Sequence, residues 1–93
     1  MQVKEIQKRA APVLKRHGAV AAYIFGSTAR GETTRKSDID ILVQFKKVPG
    51  LFEHIRAKHD LQNALGRKVD LVQADALREE MKPSVDEDKI KIL

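Results

Sequence analysis

The chain has no cysteine and no tryptophan, and its 93 residues include one tyrosine and three phenylalanines. Without thiols, neither a disulfide framework nor a thiolate zinc site is possible, which suits a reducing compartment. With so few aromatic rings, the core must be built from Val, Ile and Leu. A row of base-stacking platforms for single-stranded nucleic acid is also missing. No long apolar run occurs; the longest, "AVAAYIF", is far too short to span a bilayer. The first residues, "MQVKEIQKRAAPVLKRHG", carry charge throughout and lack the apolar centre of a signal peptide. The expectation is a cytoplasmic protein that does not engage membranes. One domain over residues 1–93 accounts for the length, with the tail after about residue 83 the hardest part to assign. A domain of this size buries only about 60–65% of its unfolded surface, so its stability should be modest.

What is present is charge, with 18 basic against 13 acidic residues and a net charge of +5. A basic balance favours nucleotides, polyanions and acidic protein surfaces as partners. The basic residues are dispersed, and Lys46 and Lys47 decorate the end of a strand. Direct nucleic-acid binding is therefore not indicated.

Apolar periodicity predicts a helix over residues 2–17, with Val3, Ile6, Ala10, Val13 and Leu14 on one stripe. Pro12 should kink it or begin a second short helix, and Gly18 should end it. Residues 20–25 read as a strand, and 27–31 as one helical turn before a polar loop. Residues 39–45 alternate, with Ile39, Ile41, Val43 and Phe45 on the core face. A helix over 50–65 is expected to use Leu51, Phe52, Ile55, Leu61 and Leu65, with Gly66 as its stop. "KVDLVQA" reads as a third strand, Asp75 as the N-cap of a short helix through about Met81, and "KIKIL" as an edge strand. These elements describe an α/β (α+β) domain, a small mixed sheet of three to four strands with helices packed on it. The short polar loop between the first two strands suits an antiparallel pair.

One stretch resists a purely structural explanation. In "YIFGSTARGETTRKSDIDILV", Asp38 and Asp40 project from one face of an otherwise hydrophobic strand. Aspartate is depleted in strands. Two carboxylates about 4 Å apart repel by roughly 4 kcal/mol at an effective dielectric of 20. A small domain carrying that cost needs something to offset it, and a magnesium ion does so with carboxylates, waters and substrate phosphates. Asp70, on another strand, could supply a third carboxylate, although a salt bridge to Lys68 or Arg67 would also explain it. Gly26 follows a strand directly and leaves room for a phosphate, while Ser27 offers a hydroxyl at the start of a helical turn. A lone Gly-Ser turn or a lone D-x-D is weak evidence. Agreement between three strand ends is far more specific. His17, His54 and His59 lack the i, i+4 spacing of a helical metal pair, and Tyr23 and Phe25 read as core.

"FGSTARGETTRKSDIDILV" followed by "GRKVDLV" resembles the minimal nucleotidyltransferases of the DNA polymerase beta-like superfamily: Gly-Ser, ten residues, D-x-D, and a later carboxylate. That resemblance implies that Gly26 and Ser27 hold a nucleoside triphosphate. It gives Asp38 and Asp40 to magnesium, two ions in all, and Asp70 the part of third acid. Arg30 matches a recurrent position that reaches a phosphate, or else braces the loop on Asp38 or Glu32. It further implies transfer of AMP from ATP to a tyrosine of a HEPN-domain ribonuclease toxin, the chain acting as antitoxin in a hetero-oligomer. Two other readings stay open: a binding module that merely covers its partner, and a homo-oligomeric enzyme, down to a homodimer, acting on RNA or a small molecule.

Overall fold

The computed structural model describes residues 2–29, 38–76 and 89–93, with Ser27 described by its backbone alone. Its elements are α1 (Val3–Arg16), β1 (Ala19–Ile24), α2 (Gly26–Ala29), β2 (Ile39–Phe45), α3 (Leu51–Leu65), β3 (Val69–Gln73), a 3₁₀ turn (Ala74–Ala76) and β4 (Ile90–Lys91). The four strands form one mixed sheet in the order β3-β2-β1-β4. β1 runs antiparallel to β2, as its short following loop suggested, and to β4, which lies at the sheet edge as "KIKIL" suggested. β2 and β3 are parallel, with α3 as the crossover.

Helices α1 and α3 cover one face of the sheet. Ile6, Ala10, Val13 and Leu14 of α1 are buried there with Ile24, Ile39, Ile41, Val43, Val69, Leu71 and the tail's Ile92. α1 continues through Pro12 as a single element, so no second helix begins there. His17 closes the helix, and Gly18 turns the chain at φ +84. The opposite sheet face carries a smaller cluster of Phe25 and Leu42, with Tyr23, Val72 and Ala74 packed against it.

Three expectations need correction or fall outside the description. Leu51, Phe52 and Ile55 do not face the core: they are 72%, 84% and 50% exposed, and α3 packs through Ala57, Leu61 and Leu65 instead. All three lie in its first five residues, in the turns N-terminal to Ala57, its first buried residue. Asp75 is the middle residue of the 3₁₀ turn and not a helix N-cap. Residues 77–81 of the expected helix, to Met81, lie outside the described residues.

Polar contacts fasten the C-terminal half of α3. The Val69 N–H donates to Gln62 Oε1 at 3.1 Å, and His17 Nε2 meets Asp60 Oδ2 at 2.8 Å. The bond to His17 is the main reason the Asp60 carboxyl titrates below its ordinary value near 3.8. A depressed carboxylate stabilises the fold above its unfolded pKa and loses that contribution as pH falls through the folded one. Asp60→Asn should therefore be less stable than wild type at neutral pH, and the gap in urea midpoint should close as pH drops below about 3.8. A gap that stays constant down to pH 2 would assign the loss to packing.

Candidate active site

Because β1 and β2 are antiparallel, the end of β1 lies beside the start of β2. Because β2 and β3 are parallel, their starts lie together. The Gly-Ser turn and all three aspartates therefore gather at one end of the sheet. Asp40 and Asp70 are direct register partners, on strands about 4.8 Å apart. Asp38 lies two residues before Asp40 and so shares its face. Asp38 and Asp70 are exposed, and Asp40 is half-buried.

Gly26 explains how closely the turn meets this strand. Its φ is +61, and a Cβ built on it would stand 2.8 Å from Asp40 Oδ2. The missing side chain thus makes room for the Asp40 carboxylate. The reading of Gly26 from sequence had given that room to a phosphate.

Thr28 was missed. It is buried, and its Oγ1 accepts the Asp40 N–H at 3.1 Å, while the Asp40 carbonyl accepts the Phe25 N–H at 3.2 Å. The backbone of Asp40 is thereby fastened to the turn on both sides. A hydroxyl two residues after the glycine, facing a strand that carries isolated acids, was the available clue. Thr28→Val keeps the shape and removes the acceptor, so the Asp40 N–H loses its partner at a cost of about 1–3 kcal/mol. A drop in denaturation midpoint of that size is expected, with Ser at position 28 restoring most of it.

Among the described residues no ion pair joins Asp70 to Lys68 or Arg67, which removes the salt-bridge explanation for it. Nor do three acidic or histidine side chains there stand close enough to hold a metal ion as they lie. The aspartates share an end and a face without meeting at a point. Exposed side chains such as Asp38 and Asp70 change rotamer in picoseconds to nanoseconds, so their carboxylates are not held to the positions described. An all-oxygen donor set suits a hard cation such as magnesium. Arg30 and Glu32 lie outside the described residues. A cavity of about 390 Å³ between Gln44, Val48, Gln73 and Asp75 lies at the far end of β2 and β3, away from Asp38, Asp40 and Asp70. Two of the histidines make tertiary contacts, His17 with Asp60 and His54 with Gln73, whose Nε2 donates to His54 Nδ1 at 3.0 Å.

Comparison with known proteins decides the family: residues 4–93 match the profile of the nucleotidyltransferase domain. The chain belongs to that family. This nucleotidyltransferase is 36% identical over 93 residues to a Methanocaldococcus jannaschii protein, MJ0435, named as a candidate protein adenylyltransferase; the match covers all of both chains. Among solved structures it resembles a candidate minimal nucleotidyltransferase, with TM-score 0.81 and 36% identity over 97% of this chain and 95% of that one. It also shares its fold, at TM-score 0.76 and 20% identity over 97% of this chain and 71% of the other, with a chain of a complex described as a tri-AMPylated Shewanella oneidensis HEPN toxin with its MNT antitoxin. The nucleotidyltransferase has no described helix long and apolar enough to cross a membrane.

Proposed function

We propose that this nucleotidyltransferase transfers AMP from ATP to a tyrosine hydroxyl of a cognate HEPN-domain ribonuclease toxin in the cytoplasm, silencing it as an antitoxin. The observation that carries the reading is the pairing of Asp40 with Asp70 beside a glycine turn that leaves no room for a side chain. The name of the Methanocaldococcus relative and the AMPylated HEPN toxin of the Shewanella complex support the choice of acceptor.

Asp38, Asp40 and Asp70 would hold magnesium, two ions in all, whose chemistry is to neutralise the triphosphate and polarise the α-phosphate. Gly26 and Ser27 would cradle the triphosphate, with Arg30 reaching a phosphate from the same turn. Asp70, exposed at the edge of the cluster, would take the proton of the attacking hydroxyl. The oxygen–α-phosphorus bond forms as the bond from α-phosphorus to the β-phosphate oxygen breaks, and pyrophosphate leaves. Thr28 and Gly26 keep the Asp40 carboxylate at the place where it is needed.

The test uses ATP labelled at either the α or the γ phosphate, incubated with magnesium, this chain and a candidate HEPN-domain partner from the same organism. Label should reach that protein from the α position alone. Transfer from the γ position would make the reaction a phosphorylation. Label that appears only in RNA or a small molecule would move the acceptor to those classes.

A further inference from the structure

The first turns of α3 present an apolar surface that is exposed among the described residues. Val48, Leu51, Phe52 and Ile55 are 69%, 72%, 84% and 50% exposed, four of the six large hydrophobic side chains exposed among the described residues. Leu51 and Ile55 are four residues apart on the helix, Phe52 and Ile55 three, so these side chains form one outward stripe. Val48 adjoins it from the preceding loop and also lines the cavity at that end of the sheet. Contiguous exposed apolar patches on small domains mark interaction sites.

The rim of the patch is basic. Lys46 and Lys47 precede Val48, Arg56 follows Phe52 by one turn, and Lys58 follows Ile55 by one turn; all four are exposed. None of them forms an ion pair among the described residues. Two acids lie near the patch: Glu53 is engaged by its own backbone, with Oε2 accepting the Gly50 N–H at 2.7 Å, and the exposed Asp75 lines the cavity beside Val48, so basic residues outnumber acids on the rim. A second copy of the chain would bring two basic rims together, which disfavours self-association through this face. The rim instead matches a partner whose apolar ridge is flanked by carboxylates.

We infer that Val48, Leu51, Phe52 and Ile55 form the docking surface for a helix of the HEPN-domain partner, one with apolar residues at i, i+3 or i+4 and acidic neighbours. This rests on the reading given under Proposed function. Helix-on-helix docking of an amphipathic segment is the recognition mode such a stripe serves. α3 begins where β2 ends, so the stripe lies at the opposite end of the sheet from the aspartates. Docking and transfer are therefore separable by mutation.

The experiment titrates the HEPN-domain protein into wild type, Phe52→Glu and Arg56→Glu, alongside ATP binding and thermal melts of each chain. Phe52→Glu should weaken the complex by about 30-fold or more, the effect of losing a central anchor. Its melt and its ATP affinity should match wild type, because the side chain touches neither core nor site. Arg56→Glu should slow association and flatten its salt dependence. Undiminished binding by a folded Phe52→Glu variant, with wild type binding tightly, would overturn this inference alone. Failure of wild type to bind would overturn the partner reading beneath it, and this inference with it. A wild-type dimer that Phe52→Glu dissociates would give the patch to a second copy and overturn the proposal as well.

Discussion

Asp40→Asn is expected to lower AMP transfer by roughly three orders of magnitude or more, the scale of losing one member of a catalytic unit. The change is nearly isosteric and keeps the backbone N–H that Thr28 accepts and the carbonyl that Phe25 reaches. The fold and the α3 docking stripe should therefore survive, and the partner complex should form with wild-type affinity. What is lost is a negative oxygen at the centre of the carboxylate row. The neighbouring Asp70→Asn change gives an independent check. Asp70 is exposed and faces Asp40 across the parallel register, so without metal it contributes repulsion of about 1 kcal/mol at most in water. Neutralising it should leave the melting temperature in chelator unchanged or slightly higher, while removing most of the stabilisation gained from magnesium with a non-hydrolysable ATP analogue. A lower melt in chelator with an undiminished gain from ligand would mean that Asp70 is structural.

Gly26→Ala should damage the enzyme in two separable ways. The residue is held at φ +61, a conformation that costs an L-residue about 1–2 kcal/mol. The new methyl would also stand 2.8 Å from Asp40 Oδ2, and the carboxylate, being the end of a side chain, would swing away. Misplacing a catalytic group by about 1 Å can cost roughly 100-fold in rate. Gly66 supplies the control. It ends α3 at φ +68 with nothing within 4 Å of the place its Cβ would take. Gly66→Ala should thus share the loss of stability and keep full transfer. If both variants lose activity equally, the loss follows from stability and not from the position of Asp40.

Much of this site is legible in the amino-acid order because strand periodicity is rigid. The alternation of Ile39, Ile41 and Val43 with Asp38 and Asp40 determines which side chains share a face, and the structure keeps that division. Asp70 could be placed on a strand in the same way, but its pairing with Asp40 depends on a parallel register that no local pattern encodes. Helix α3 shows the opposite case. Its apolar positions are real, yet periodicity cannot say which turns have a sheet beneath them, so Leu51, Phe52 and Ile55 were assigned inward although they face solvent. Thr28 escaped notice for a related reason. A threonine in a turn is ordinary until its hydroxyl is found on the backbone of the strand that carries Asp38 and Asp40.

Transfer of AMP from the aspartate end of the sheet onto a protein hydroxyl can be read directly by intact mass. The HEPN-domain protein is weighed before and after incubation with ATP, magnesium and either wild type or the Asp38→Asn, Asp40→Asn double variant. Wild type should add whole AMP units, mapped by fragmentation to tyrosine, and the double variant should add none despite binding equally well. A partner that stays unmodified in a tight wild-type complex, or that is modified equally by the double variant, would contradict the claim.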